Sequence, residues 1–465
     1  MSHAARERVL TPLMLGVASG SILVPLNSTM LAVALPGVMD EFRLDAATVA
    51  SLVTLYLGAV AVALPASGSL GDRFGHRRAF LAGVVVFGIA SLVAVGATSF
   101  ALLQVARVLQ AVSGAFVSTS SSALVRIAAP ASRRGEAFGL FDLLVSTSAA
   151  AGPFLGGILV GAFGWRSLFV VAVPVAIAAA LIVGLFLPGG TSVARASESG
   201  DSSVPDRPRP LDVPGLVLLA IVIVAVLVAL RGGAGTLGIV AAVAIVPLAL
   251  VLVRFELGRV TPALDPRLFL FRPFAAAVAG IFGSTIVLHA CFILVPMLVE
   301  RLLDGSPATS GLVLLGISGV AALVAPFGGR ASDRRGRRSL VVAGSLVMAA
   351  GVGGLWSPFG ASSFITVGVL LGVVGLGMGL AGSPRQAAAF EAIGPDRVGM
   401  AAGTYYSGRY LGGVVGASIA GATLASGITS AGVSLGFGIL VVASLGVAAA
   451  SLGLPGRTVS RSPVA

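Results

Sequence analysis

Long apolar segments alternate with short polar ones along almost the whole chain. A membrane-spanning helix needs about 20 consecutive apolar residues to cross a hydrocarbon core of roughly 30 Å. The segments lack the alternation of a membrane β-barrel, and lipid accommodates only helices or closed barrels. The pattern therefore predicts an all-α polytopic membrane protein with fourteen transmembrane helices, at residues 12–36, 46–70, 79–97, 100–127, 136–161, 166–188, 212–230, 237–254, 273–299, 307–328, 339–357, 362–384, 396–425 and 430–453.

Composition agrees with this class, and the distribution of charge adds a topology. Hydrophobic residues make up 57% of the 465 residues and charged residues 10%, too few to keep a soluble chain of this length dispersed. The net charge is +12, and all 30 basic residues are arginine. With the N-terminus inside the cell, 24 arginines fall in cytoplasmic segments, four in outer loops and two within spans. This positive-inside pattern predicts cytoplasmic termini and argues against a nucleic-acid surface.

One short polar loop occurs twice, which indicates an internal duplication. A Gly-x-x-x-Asp-Arg-x-Gly-x-Arg pattern begins at Gly68 and again at Gly329, 261 positions later. A glycine motif in the fifth span recurs in the thirteenth at an offset of 260. Two repeats at nearly one offset predict two six-helix bundles with two additional helices between them. The loop residues singled out are Gly68, Asp72, Arg73, Gly75, Arg77, Gly329, Asp333, Arg334, Gly336 and Arg337; the glycine-motif residues are Gly152, Pro153, Gly156, Gly157, Gly412, Gly413 and Gly416.

The duplication also sets the expected domain boundaries. The segment before the inserted helices is rich in Ser, Pro, Asp and Arg, a composition typical of a flexible linker. The expected order is a six-helix bundle (12–188), a cytoplasmic linker (189–211), two inserted transmembrane helices (212–254), a cytoplasmic loop (255–272), a second six-helix bundle (273–453) and a cytoplasmic tail (454–465). The boundary at residue 384 places Arg385 in a cytoplasmic loop.

These motifs resemble those of the major facilitator superfamily. The duplicated loop resembles the loop between the second and third helices of that family. Leu26–Pro36 is similar to the first-helix motif of its fourteen-helix drug:proton antiporter branch, Arg107–Gln110 to the fourth-helix arginine motif, and Gly152–Gly157 to the fifth-helix antiporter motif. The resemblance implies the major facilitator fold, with its two bundles related by an axis along the membrane normal. It also implies secondary active, proton-coupled export of drugs or other small amphipathic molecules by alternating access.

The resemblance further assigns roles to single residues. Asp72 and Asp333 would latch one conformation through the duplicated loops; otherwise the loops only set topology. Arg107, with Gln110, would tune a proton-carrying acid or hold substrate; otherwise it donates to backbone carbonyls. Asn27 departs from the branch, which usually has aspartate at this position. An amide cannot ionise, so Asn27 favours neutral or anionic substrates over cations.

Three further ionisable residues are candidates for the substrate and proton pathway. His289 lies near the repeat-equivalent of Asn27 and could titrate near neutral pH, or form a neutral hydrogen bond between helices. Asp142 lies about six residues into the fifth span and is either a structural ion-pair partner, with Arg77, Arg126 or Arg134, or a proton carrier. Arg409 could bind an anionic group or pair with an acid.

The sequence also argues against other classes of protein. It has no lysine for a Walker A loop, no metal-ligand cluster and no catalytic triad, so we expect no enzymatic activity, metal or cofactor. The expected partners are a small-molecule substrate, protons and the lipid bilayer, and the expected setting is a monomer in the plasma membrane. Two alternatives stay open: an importer or uncoupled facilitator of a small metabolite, and a non-transporting membrane sensor.

Overall fold

The chain folds almost entirely into long helices. The computed structural model describes residues 3–128, 134–186, 212–232, 235–259, 262, 265–357, 360, 362–393 and 398–456, and these contain no β-strand. The predicted all-α class is therefore confirmed. The predicted linker at 189–211 and most of the predicted tail, from residue 457, lie outside the described residues.

Fourteen long helices follow one another in the described residues. The first, α1, has two parts, His3–Met30 and Leu35–Phe42, joined by a short 3-10 turn at Leu31–Ala34. The others are α2 (Ala46–Phe74), α3 (His76–Val95), α4 (Phe100–Ala128), α5 (Arg134–Phe163), α6 (Ser167–Phe186), α7 (Val213–Gly232), α8 (Thr236–Leu257), α9 (Arg272–Arg301), α10 (Pro307–Arg335), α11 (Arg337–Trp356), α12 (Phe364–Glu391), α13 (Val398–Thr423) and α14 (Ser430–Ser451).

Twelve helices in the described part of the chain are long and apolar enough to cross a membrane. The apolar part of α7, Val213–Ala229, is shorter than the others. The helix α13 is also not among the twelve, and it carries three tyrosines and Arg409 within its apolar sequence. The polytopic membrane class is confirmed, while α7 and α13 are less apolar or shorter than the sequence pattern indicated.

The described residues divide into two compact units. The first contains α1 to α8 apart from the start of α2, and the second contains α9 to α14 together with Asp45–Ala50. Within the first unit, α1 packs on α4, α5 and α6, and α3 packs on α4 and α6. Within the second, α9 packs on α12, α13 and α14, and α11 packs on α12 and α14. These contacts recur in both units, with helix numbers shifted by eight.

The duplication is visible in the backbone as well. The helices α2 and α10 each have 29 residues, and α3 and α11 each have 20. Gly75 and Gly336 join these pairs with φ angles of +93° and +86°, a region that glycine adopts without steric cost. Arg43 and Asp304, again 261 positions apart, are the non-glycine residues with positive φ in the described chain, at +53° and +54°. Equivalent positions therefore have equivalent backbone conformations.

Candidate functional site

Four helices bring polar side chains together inside the first unit. Arg107 Nη1 donates to Asn27 Oδ1 at 2.6 Å and to Gln110 Oε1 at 2.9 Å. Gln110 Nε2 donates onward to Ser91 Oγ at 2.8 Å, and the guanidinium carbon of Arg107 lies 4.2 Å from the ring centre of Tyr56. We call these five residues the Arg107 cluster. The structure thus joins Asn27 of the first-helix motif to Arg107 and Gln110 of the fourth-helix motif.

The Arg107 cluster contains a buried positive charge without a counter-ion. Arg107 is only 1% exposed, and Asn27 and Gln110 are also buried. Among the described side chains, no carboxylate pairs with Arg107, and its Nε has no hydrogen-bond partner. Its observed partners are amide oxygens and an aromatic ring, which stabilise a cation only partly. Desolvating a buried charge costs several kcal/mol even after relaxation, which is comparable to the whole stability of a small domain. Because this cost is so high, a buried arginine within a membrane-spanning helix usually marks a functional site.

Close packing of α5 on α1 places Asn27 at this depth. A Cβ atom on Gly152 would overlap the Thr29 hydroxyl, and one on Gly156 would lie 3.0 Å from the carbonyl oxygen of Met30. Glycine at both positions therefore lets the two backbones approach. The Thr29 hydroxyl at this contact donates to the carbonyl oxygen of Pro25 at 2.9 Å, so the close approach leaves no unsatisfied hydroxyl. The glycine motif acts here in packing, two residues away from the amide that meets Arg107.

The second unit repeats this glycine contact between α13 and α9. A Cβ atom on Gly412 would overlap the carbonyl oxygen of Phe282, and one on Gly416 would overlap that of Ile286. Thr285 lies at the contact and donates to the carbonyl oxygen of Arg409 at 2.9 Å. The described structure thus gives both copies of the motif the same packing geometry.

His289 lies one helical turn beyond Thr285 and is half-buried. Its Nδ1 lies 3.1 Å from the carbonyl oxygen of Thr285, and its ring contacts Phe292 edge-on with centres 6.0 Å apart. A carbonyl oxygen only accepts hydrogen bonds, so Nδ1 carries the proton and Nε2 is the nitrogen left to take up a second one. The side chain of Arg409 is exposed, and only its backbone carbonyl joins the Thr285 contact.

Arg385 is a functional candidate that the sequence analysis missed. Its assignment to a cytoplasmic loop is wrong, because α12 continues to Glu391 and leaves Arg385 only 2% exposed. Nη1 of Arg385 donates to the carbonyl oxygen of Gly280 at 2.9 Å and to Ser284 Oγ at 2.7 Å, which joins α12 to α9. A Cβ atom on Gly280 would lie 2.9 Å from Arg385 Nε, so glycine makes room for the guanidinium. The available sequence signal was Gly280, a glycine 261 positions after Ser19, the small residue at the equivalent place in α1.

The side chains of the two duplicated loops form hydrogen bonds and ion pairs with different partners. In the first copy, Asp72 Oδ1 accepts from His76 Nε2 at 3.0 Å, and Arg77 Nη2 donates to the carbonyl oxygen of Gly184 at 3.0 Å. In the second copy, the buried guanidinium of Arg337 forms a two-pronged ion pair with Glu391 at the end of α12. Both loops are thus tied to another helix of their own unit.

Several predicted site residues have side chains outside the described part of the structure. The side chains of Asp142, Asp333 and Arg334 lie outside the described ones, although α5 and α10 are described. The same holds for Arg126 and Arg134, two of the partners expected for Asp142. Groups of three or more His, Cys, Asp or Glu with metal-binding geometry do not occur in the described residues.

Comparison with known proteins places this architecture in a family. The profile described as Major Facilitator Superfamily matches residues 17–417 and 280–463. A tetracenomycin C resistance and export protein of Streptomyces glaucescens is 33% identical over 80% of this chain and 67% of its own length. The multidrug resistance protein Stp of Mycobacterium tuberculosis is 30% identical over 86% of this chain and 72% of its own. The riboflavin transporter RibZ of Clostridioides difficile is 27% identical over 82% and 81%, respectively.

The family profile covers most of the chain, and relatives of at least 30% identity span most of both sequences. The helical architecture, the membrane-length helices and the duplicated loop agree with that match. The chain is therefore a multi-pass membrane protein that belongs to the Major Facilitator Superfamily of transporters.

Proposed function

We propose that the protein is a proton-coupled exporter of small amphipathic molecules that works by alternating access. The observation that carries the proposal is the Arg107 cluster, a buried cation held by neutral partners in a transporter chain. Similarity to proteins named for resistance and export supports the outward direction. Asn27, Arg107 and Gln110 would contact substrate, while the glycine contacts of α1 with α5 and of α9 with α13 would let the helices move during transport.

The charge of the cluster favours neutral or anionic substrates. Asn27 supplies an amide where an acid would neutralise Arg107, so the site keeps a net positive charge. An anionic group entering the site would compensate the guanidinium, whereas a cation would be repelled at short range in a low-dielectric environment. Arg409, whose side chain is exposed, is a second candidate for an anionic group.

Proton coupling would use His289 or Asp142. The hydrogen bond from His289 Nδ1 to Thr285 orients the ring and leaves Nε2 to exchange a proton. Asp142 lies in α5, the helix that packs on α1 beside Asn27. The duplicated loops, including Asp72 and Asp333, would latch one conformation.

The wider setting of this function is part of the same proposal. Two six-helix bundles with two inserted helices would form a monomer in the plasma membrane, with both termini in the cytoplasm. The excess of arginine in the segments predicted to face inward supports this orientation.

A second candidate function is import or uncoupled passage of a small metabolite. The similarity to a protein named as a riboflavin transporter favours it, since that name describes a metabolite and not a drug. An asparagine at position 27, which cannot exchange a proton, agrees with an uncoupled facilitator. A non-transporting sensor is the less favoured alternative, because the chain keeps both duplicated loops and the buried polar cluster, which are features of the transport machinery.

Proton flux in liposomes separates a proton-coupled transporter from an uncoupled facilitator and from a sensor. The purified protein is reconstituted with an internal pH dye, a pH gradient is imposed, and antibiotics and dyes are added in turn. We expect a substrate-dependent proton flux in the wild type that His289→Ala abolishes, with Asp142→Asn as the next variant if flux persists. Substrate movement without proton flux would indicate a facilitator, and no movement of any compound would indicate a sensor.

A matched control for His289→Ala is Phe292→Ala, which removes the ring packed on His289 but no titratable group. Loss of flux in both variants would point to a packing defect and would argue against proton transfer through His289. Retained flux in Phe292→Ala, with loss in His289→Ala, would assign the proton to the imidazole.

A further inference from the structure

A groove with a volume of about 420 Å³ opens on the surface of the first unit, between the end of α2 and the helices α3 and α4. Its walls are apolar side chains, among them Phe74, Val86 and Phe116, and Arg78 stands at one end. From Arg78 to Val86 the groove follows α3 for eight residues, about 12 Å at 1.5 Å per residue. We call it the Arg78 groove.

Apart from Arg78 at its end, the lining of the Arg78 groove offers no free polar side chain to a ligand. Ser113 lies in its wall, but its hydroxyl donates to the carbonyl oxygen of Leu109 at 2.7 Å and is already bonded. Gly83 lets α3 approach α4 at this point, because a Cβ there would lie 2.9 Å from the carbonyl oxygen of Ser113. The groove therefore fits a hydrocarbon chain.

Positive charge is concentrated at the Arg78 end of the groove. Arg78 and Arg73 are both exposed there, and the guanidinium of Arg73 lies 5.6 Å from the ring centre of Phe74. Arg77 is engaged by the carbonyl oxygen of Gly184, which leaves Arg78 and Arg73 as the accessible cations of this loop. Arginines at the end of an apolar surface attract anionic head groups by about 1 kcal/mol each.

We propose that the Arg78 groove is a binding site for one anionic phospholipid, with an acyl chain along α3 and α4 and the phosphate at Arg78. The two parts of the site select different parts of the lipid: the groove takes hydrocarbon from any phospholipid, and the arginines select an anionic head group. Because Arg78 directly follows the duplicated loop that contains Asp72 and Arg73, the bound lipid would lie beside that loop. The groove and its arginines are sufficient to define this lipid site, which is therefore independent of the transported substrate.

Native mass spectrometry of the delipidated full-length protein tests the site. The probes are dioleoyl phosphatidylglycerol and dioleoyl phosphatidylcholine, which share acyl chains and differ in head-group charge. We expect one tightly retained phosphatidylglycerol, bound at least about fivefold more tightly than phosphatidylcholine, the factor that corresponds to about 1 kcal/mol. Arg78→Gln should lower this preference about fivefold, the share of one arginine, while Arg254→Gln, at an exposed arginine in the last turn of α8, should keep it.

Two neighbouring substitutions test the acyl-chain part. Val86 lines the groove and is 40% exposed, whereas Val85 is 48% exposed and does not line it. Val86→Trp should fill the groove and weaken both lipids about tenfold or more, and Val85→Trp should bind them as the wild type does. Unchanged elution in size-exclusion chromatography would show that the variants fold.

Three results would overturn the proposal. Equal binding of both lipids by the wild type would remove the charge selection. Equal binding by Val86→Trp and Val85→Trp would remove the groove. A dimer that Val86→Trp dissociates would assign the groove to a second copy of the chain instead.

Discussion

Replacing Asn27 by aspartate would place a carboxylate where the amide oxygen now lies 2.6 Å from Arg107 Nη1. The geometry is already that of a hydrogen bond, so the substitution changes charge with little change of shape. Two unit charges 4 Å apart attract by about 4 kcal/mol at an effective dielectric constant near 20. Arg107 is desolvated already, so the new cost is the desolvation of one carboxylate, which that attraction and a charge-assisted hydrogen bond offset.

The expected result concerns substrate charge. With Arg107 neutralised by its new partner, an anionic substrate loses part of its attraction and a cationic one loses part of its repulsion. We expect the affinity for an anionic substrate, relative to a cationic one, to fall at least about tenfold, or about 1.4 kcal/mol, a third of the full attraction. The assay is competition of an anionic fluorescein derivative and a cationic rhodamine against a transported compound in liposomes.

Two matched variants decide what the result means. Gln110→Glu places a carboxylate on the same Arg107 nitrogen and should shift the ratio in the same direction. Gln104→Glu makes the same chemical change one turn away, where the side chain bonds to Ser51 Oγ at 2.7 Å and not to Arg107, and should leave the ratio unchanged. If Asn27→Asp and Gln110→Glu fold normally and keep the wild-type ratio, the charge of Arg107 takes no part in substrate selection.

Two further predictions concern stability, measured as the melting temperature and unfolding free energy in detergent. Gly416→Ala should destabilise the protein by about 1–3 kcal/mol, because the new Cβ would overlap the carbonyl oxygen of Ile286. Gly403→Ala is the control: this position in the same helix has open space beside it, so the change should be neutral or slightly stabilising. Equal effects of the two substitutions would contradict the packing role of Gly416. Partial burial raises the pKa of Asp45, but hydrogen bonds from the Thr48 amide and hydroxyl outweigh this effect and hold that pKa below its usual value. The charged carboxylate cap therefore stabilises the fold above the unfolded-state pKa, and its contribution is lost as the pH falls through the folded-state pKa. Asp45→Ala should therefore cost about 1 kcal/mol at pH 7 and clearly less once the pH is below both pKa values; a loss that does not depend on pH would exclude the charged cap.

Sequence and structure each contributed different parts of the site. The sequence predicted that Asn27, Arg107 and Gln110 matter, because polar groups within apolar spans are costly and therefore conspicuous. It could not predict that one nitrogen of Arg107 joins the other two, since that depends on the distance between α1 and α4. Nor could it find Ser91 or Tyr56, because a single serine or tyrosine in an apolar helix is inconspicuous until its neighbours are known.

Arg385 shows the same limit at a helix end. The apolar run stops near residue 384, and an arginine directly after it has the pattern of a membrane-flanking residue. The helix nevertheless continues for two more turns, and Gly280 and the Ser284 hydroxyl of α9 provide room and hydrogen bonds for the buried guanidinium. A helix end in a membrane protein is set by its neighbours as well as by hydropathy.

The sequence by itself determined the helical class, the approximate spans and the internal repeat. Lipid forces an apolar chain to satisfy its backbone hydrogen bonds locally, so the helices can be read from composition, and a glycine with positive φ recurs wherever the duplicated turn does. The tertiary structure alone decided which side chains meet: the Arg107 cluster, the Arg337–Glu391 pair and the Arg78 groove all join residues from different helices. Such contacts depend on the depth and rotation of packed helices, which the periodicity of a single segment does not specify.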